Sequence, residues 1–173
     1  MLRWTSATLG DGWTLHLAAT SQGICRIGFG RAQIRLPRRQ EARRDDSDPL
    51  LQEAVRQLAE YLGGKRRRFD LPLDLDGTPF QLRVWRRLLR IPYGTTRSYA
   101  ELARAVGRPG AARAVGQACG ANPVAIVVPC HRVIAAGGAL GGYGGGLKLK
   151  RRLLDLEKSA SPQNGTRRRA RPS

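Results

Sequence analysis

Two helix-start signatures lie twenty residues apart in the second half of the chain, and a proline-glycine turn follows the second. In Thr78-Pro79-Phe80-Gln81 a hydroxyl side chain precedes the helix, proline takes its first position, and glutamine can reach back to the cap amide. Ser98-Tyr99-Ala100-Glu101 repeats the arrangement with glutamate. The spacing predicts one helix from Pro79 to about Arg90, carrying Val84, Trp85, Leu88 and Leu89 and ended by Ile91-Pro92-Tyr93-Gly94. A short helix should then run to about Val106, and after the Gly107-Arg108-Pro109-Gly110 turn a third from Ala111 to about Gly120. Two short helices across a tight turn are the frame of a helix-turn-helix, which commits this half to a mostly helical domain.

The first half reads differently. Residues 13–19 alternate, and residues 23–29 set Ile24, Cys25, Ile27 and Phe29 among small or basic residues, as strands do. Residues 36–46 are charged and read as a loop. Ser47-Asp48-Pro49 starts a helix with Leu51, Val55, Leu58 and Leu62 on its core face, and Gly63-Gly64 stops it. A basic run at 65–68 precedes another expected strand at 69–73, and residues 74–77 read as a turn or link. The expected division is residues 1–75, residues 76–158, and a basic tail at 159–173 that lacks apolar periodicity and is expected to be disordered.

Charge narrows the partners. Lys and Arg number 31 against 13 Asp and Glu, a formal +18 at pH 7. Such an excess attracts a polyanion, nucleic acid first and an anionic membrane surface second. With 41% hydrophobic residues the chain can bury a core, which excludes disorder throughout. No run approaches the roughly 18 apolar residues of a membrane span, and the first residues lack the apolar core of a secretory signal. The expectation is a soluble, cytoplasmic protein. Cys25, Cys119 and Cys130 are odd in number without close pairs, which argues against a disulfide framework. Two histidines and no Cys-x-x-Cys spacing do not assemble a zinc site, so no metal or other cofactor is expected.

The third helix of the second half is nearly bare: Ala111, Ala112, Arg113, Ala114, Val115, Gly116, Gln117, Ala118, Cys119, Gly120. A helix that reads bases in the major groove presents several Asn, Gln, Arg or Lys side chains. This one suits close, sequence-independent docking with Arg113 as its single long probe, or plain packing against a neighbouring helix. Beyond Asn122-Pro123, the most apolar run of the chain, residues 124–128, reads as a buried strand or extended segment leading into Pro129-Cys130-His131-Arg132. A thiol attacks as thiolate, and at a pKa near 8.5 only about 3% is ionised at pH 7. His131 and Arg132 could lower that pKa, although adjacent residues of extended chain face opposite ways, so a Cys130–His131 contact needs a turn or an intervening water.

Taken together, Ile91-Pro92-Tyr93-Gly94, Ser98 to Ala103, Arg108 to Gly116, Asn122-Pro123, Val128-Pro129-Cys130-His131-Arg132-Val133-Ile134 and Gly142-Tyr143-Gly144-Gly145-Gly146 occur in one order at tight spacing. The chain resembles the O6-alkylguanine-DNA alkyltransferases, closely over roughly residues 78–157 and only in coarse pattern before that. The resemblance implies an α/β (α+β) fold: an N-terminal antiparallel sheet with a covering helix, RNase H-like, then a mostly helical domain with the helix-turn-helix. It implies DNA repair by direct damage reversal, a single irreversible transfer of the alkyl group from O6-alkylguanine, and O4-methylthymine, to Cys130. The partner would be double-stranded DNA, bound by a monomer in the minor groove without sequence specificity.

Residue roles follow from the same resemblance. Cys130 is the acceptor, His131 takes its proton through a water, Glu157 orients His131, and Asn122 ties the recognition helix to the active-site segment. Tyr99 helps rotate the nucleotide, Arg113 fills the vacated stack, and Ala111, Ala112, Gly116 and Thr95 face DNA. The carbonyls of Cys130 and Val133 accept from the guanine amino group, Tyr143 walls the pocket, and the Gly144 N–H faces O6. Physics agrees on extrusion, because the O6-bound carbon cannot be approached in line inside stacked duplex. This chain departs from the family in having Gly144 where some members carry a hydroxyl, and Thr95 where an acid is usual. Gly141 and Gly142 suggest a roomy pocket mouth that tolerates groups larger than methyl. Three other readings stand beside this one: a non-catalytic lesion sensor, which would lack the cysteine; a helix-turn-helix regulator, which would need base-reading side chains; and a cysteine hydrolase, which would need an oxyanion arrangement.

Overall fold

The computed structural model describes residues 1–10, 12–30 and 41–159. Four strands form the N-terminal sheet: β1 (Leu2–Leu9), β2 (Trp13–Ala19), β3 (Ile24–Phe29) and β4 (Ala42–Arg44), in spatial order β3-β2-β1-β4. The first three pair antiparallel, as expected, but β4 joins β1 in parallel, so the sheet is mixed. Neither β1 nor β4 was foreseen. β4 lies inside the stretch read as a loop, and its three residues are all exposed, so its sequence carries no hydrophobic alternation to betray it. β1 buries only Leu2 and Thr5, a spacing of three that hides its period of two.

Helix α1 (Pro49–Leu62) covers this sheet, started by Asp48, whose Oδ1 accepts from the Leu51 amide at 2.9 Å. Its core face is rotated from the expected one: Leu51, Ala54, Leu58 and Tyr61 are buried, whereas Val55 and Leu62 are half-buried. That rotation carries Tyr61 inward. The strand expected at 69–73 shrinks to a single bridge between Leu73 and Ile24.

Both capping boxes form. Thr78 starts α2 (Pro79–Leu88) and Ser98 starts α3 (Tyr99–Ala105), each side chain accepting from the third helical amide while Gln81 or Glu101 returns to the cap. Residues 106–111 turn the chain into α4 (Ala112–Gly120), and the Trp85 indole fastens α2 to it by donating to the Ala118 carbonyl at 2.8 Å. Two-residue strands β5 (Arg97–Ser98) and β6 (Val133–Ile134) pair in parallel, and α5 (Leu147–Ser159) closes the described fold. The tail expected at 159–173 lies, beyond Ser159, outside the described residues.

Residues 124–128 are no strand. Val124 bridges Ile27, then the chain turns through residues 125–127 with Ile126 at φ 70°. Five apolar residues announce burial, and all but the half-buried Ala125 have it; conformation is set by the turn needed to present Cys130. Two backbone hydrogen bonds, Ile27 N–H to the Pro123 carbonyl (2.9 Å) and Ala125 N–H to the Ile27 carbonyl (3.1 Å), tie this turn to β3, joining the two halves directly behind the cysteine.

Candidate active site

A short 3-10 turn, Cys130–Arg132, follows the buried segment and sends successive side chains in different directions, supplying the turn that adjacent Cys and His require. Cys130 is 7% exposed. Its Sγ accepts from Asn122 Nδ2 at 3.1 Å, and the same nitrogen lies 2.7 Å from the Val128 carbonyl, while Asn122 Oδ1 accepts from the Val124 amide at 3.0 Å. Asn122, two residues beyond α4, thus holds both ends of the turn leading to the thiol.

Burial pushes the Cys130 thiol up from its usual value, and the Asn122 hydrogen bond, the Lys150 charge and nearby backbone amides pull it only part of the way back. The resting group is therefore a protonated thiol. Arg132 does not supply the shift envisaged for it, because its guanidinium is spent elsewhere: Nε and Nη2 donate to Glu157 at 2.9 to 3.0 Å and Nη1 donates to the Ile91 carbonyl at 2.7 Å. His131, fully buried, is pushed down from 6.5 by desolvation, with Glu157 pulling the other way. It is a neutral base.

The tautomer of that base follows from its neighbours. His131 Nε2 lies 2.8 Å from Glu157 Oε1. Burial would raise the Glu157 carboxyl, but hydrogen bonds and charge from His131 and Arg132 outweigh it and hold the group at about 2. An ionised carboxylate only accepts, so Nε2 carries the proton and Nδ1 is the bare nitrogen. Nδ1 is buried without a hydrogen-bond partner among the described residues. The Gly94 amide also donates to Glu157, at 2.9 Å, anchoring the carboxylate to the turn after α2.

In front of the thiol opens a cleft of about 740 Å³. Of the residues singled out in the sequence, Tyr99, Ala112, Arg113, Gly116, Cys130, Tyr143 and Gly144 line it, and Arg113 is exposed. Asn122, His131 and Glu157 lie behind Cys130. Val133 is buried, its carbonyl already accepting from Lys150 Nζ at 2.6 Å, with a second lone pair left. Ala111 caps α4 outside the cleft lining, and Thr95 is turned into its own loop, its hydroxyl donating to the Pro92 carbonyl at 2.7 Å. Gly141, at φ 65°, passes so close to Tyr99 that a Cβ there would sit 2.7 Å from the phenol oxygen. Gly141 serves the seating of Tyr99, whereas Gly142 lines the cleft with nothing within 4 Å of where a Cβ would stand.

Two polar residues escaped the sequence reading. Lys150, on α5 and fully buried, donates to the carbonyls of Val133, Leu140 and Gly142, gathering the loop that forms one cleft wall. Tyr61, on α1, donates its hydroxyl to Glu157 Oε1 and lies 3.2 Å from His131 Nε2. Nothing in a lone lysine or tyrosine on an apolar stripe announces either contact.

A buried cysteine with His131 and Glu157 behind it, opening onto a helix-turn-helix, sets a thiol suited to covalent chemistry beside a nucleic-acid-binding frame. Residues 3–75 match the model of the 6-O-methylguanine DNA methyltransferase ribonuclease-like domain, and residues 79–159 match the DNA-binding domain of the same proteins. An inducible methylated-DNA--protein-cysteine methyltransferase of Bacillus subtilis is 44% identical over 171 residues, covering 94% of this chain and 93% of that protein. The crystal structure of a Mycobacterium tuberculosis O6-methylguanine methyltransferase superimposes with a TM-score of 0.83 at 48% identity, over 95% of this chain and 97% of the other. Mycobacterium tuberculosis OGT in complex with DNA matches at 0.78 and 47% identity, over 94% and 95%. The chain belongs to the 6-O-methylguanine DNA methyltransferase family. Among the described residues no helix is long and apolar enough to cross a membrane.

Proposed function

We propose that the protein repairs DNA by direct reversal, moving the alkyl group of O6-alkylguanine, and of O4-methylthymine, irreversibly onto Cys130. The observation that carries the proposal is the Cys130–His131–Glu157 arrangement opening onto the helix-turn-helix cleft in a chain of this family. The M. tuberculosis relative in complex with DNA supports DNA as the partner. Cys130 Sγ attacks the alkyl carbon in line; the new S–C bond forms as the C–O6 bond breaks. Because the resting thiol is protonated, its proton must leave as attack begins, and His131 Nδ1 receives it through a water. Nε2–H, held on Glu157, lets the ring accept that charge without turning. The guanine is left as its O6 anion and takes a proton at N1 from water, His131 gives the thiol proton back to water, and the thioether stays.

The base reaches Cys130 by rotating out of the stack, at a cost of a few kcal/mol that Arg113 offsets by filling the gap while Tyr99 receives the nucleotide. Ala112 and Gly116 let α4 approach a minor groove closely without reading sequence. Tyr143 closes the far wall, its ring edge-on to His131 at 6.5 Å between centroids. In this reading residues 1–75 and 76–158 are two units of one monomer.

The test is stoichiometric. Duplex DNA bearing one O6-methylguanine is titrated with protein, and the guanine formed is counted. The proposal expects one guanine per protein molecule, a plateau rather than turnover, and none with Cys130→Ala. Continued turnover, or binding without loss of the lesion, would overturn it.

A further inference from the structure

The N-terminal unit sends one polar group into the reaction centre. Tyr61 reaches it from α1, 96 residues before Glu157 in the chain. Its side chain is fully buried, packed on Phe69 with centroids 5.1 Å apart and edge-on to Tyr93 at 5.9 Å. Burial and the neighbouring Glu157 raise its pKa far above the working range, so the phenol stays protonated.

That proton has one destination. Tyr61 Oη lies within hydrogen-bond reach of both Glu157 Oε1 and His131 Nε2, and these two lie 2.8 Å from each other. Were the phenol to donate to Nε2, the bare nitrogen and the carboxylate would face each other as two acceptors, a repulsive contact in a buried site. Donation to Glu157 removes the conflict: the carboxylate accepts from Tyr61 and from Nε2–H, and the phenol oxygen turns a lone pair toward Nε2–H. Also facing this triangle are Arg132 and the Gly94 amide, which donate to Glu157, the Lys150 ammonium, whose charge acts on His131, and Tyr93 and Tyr143, both neutral phenols.

We propose that Tyr61 is a positioning residue for the transfer: by donating to Glu157 beside Nε2–H, it holds the carboxylate in line with Nε2–H and so keeps His131 oriented, in the tautomer Glu157 fixes, with Nδ1 free to take the Cys130 proton. The inference rests on the alkyl-transfer reading and gives the N-terminal unit a part in the chemistry. It also accounts for the two backbone bonds between β3 and the turn before Cys130, which hold the unit carrying Tyr61 in fixed register with the thiol.

The test is Tyr61→Phe, which keeps the ring and deletes the donor. Single-turnover methyl transfer from lesion-bearing duplex and iodoacetamide labelling of Cys130, read by peptide mass, are followed from pH 6 to 10. General-base assistance is worth at least about a hundredfold, and loss of its alignment should remove about tenfold of it at neutral pH. The deficit should shrink toward pH 10, where hydroxide can take the thiol proton in place of His131. In a Glu157→Gln background the same substitution should change either rate less than about twofold, because the group it acts through is gone. An unchanged rate, a deficit equal at every pH, or one that persists with Glu157→Gln would overturn the proposal. Since labelling needs no lesion, a wild-type protein that is labelled but transfers nothing would sink the alkyl-transfer reading, while the labelling profile still decides the role of Tyr61.

Discussion

Asn122 donates to Cys130 Sγ and to the Val128 carbonyl with one amide nitrogen, so a single side chain shapes the turn and, in the proposed transfer, would steady the developing thiolate. Hydrogen bonds to charged groups contribute about 1.5–3 kcal/mol. Asn122→Ala should therefore slow transfer by about tenfold to a hundredfold in a single-turnover assay, with lesion binding retained; an undiminished rate would remove Asn122 from the chemistry. Glu157 and His131 make a second residue-scale prediction. Glu157 titrates at about 2 in the folded protein against an ordinary 4.5, and burial lowers His131 below 6.5. In both cases the unfolded chain binds more protons as pH falls, so stability present at neutral pH declines below about 6.5 and further between about 4.5 and 2. The thermal midpoint of Glu157→Gln, followed from pH 7 to 3, should fall less steeply than that of the parent; parallel curves would contradict the assignment. Motifs single out Cys130, His131 and Asn122, and the family resemblance alone points to Glu157; that these side chains lie together could be expected on that basis. Tyr61 and Lys150 were not legible, since a buried polar group is defined by partners that lie far away in sequence.

At the scale of elements, α5 does more than deliver Glu157. Lys150 on the same helix gathers the carbonyls of Val133, Leu140 and Gly142, and removing it strands the buried Val133 carbonyl and unties the half-buried Leu140 and exposed Gly142. Lys150→Met should cost about 1–3 kcal/mol, lowering the melting temperature by roughly 2–10 °C for a chain of this size. It should also loosen the wall against which Tyr99 sits, 5.9 Å from the ammonium. Calorimetry decides: an unchanged midpoint would mean that water satisfies those carbonyls. The capping boxes were legible because each is a local contract between residues three apart, and all the helices they start are where the spacing puts them. β4 was illegible for the opposite reason, being an exposed edge whose existence depends on pairing with β1. The apolar run at 124–128 gave its burial but not its shape, because hydrophobicity fixes where a segment lies and the turn at Ile126 fixes how.

The whole molecule carries +18, and that excess sets how it meets DNA more than how it folds. Arg167, Arg168, Arg169 and Arg171 lie outside the described residues but contribute four of those charges. Each phosphate contact adds about 0.9 to the slope of log affinity against log salt. Replacing the four arginines with serine should flatten that slope by up to about 3.6, with transfer at low salt retained; an identical slope would show that the tail does not touch DNA. The two units meet where the chemistry is placed, through β3 behind the cysteine and through Tyr61 beside the base, so the fold brings its covalent and its supporting parts to one point. The central claim is that Cys130 ends the reaction carrying the alkyl group. The intact protein should be weighed after incubation with duplex DNA bearing O6-methylguanine, and the modified peptide mapped. A gain of one methyl per molecule, located on Cys130 and absent from Cys130→Ala, is the predicted result; an unmodified protein bound to an intact lesion would contradict it.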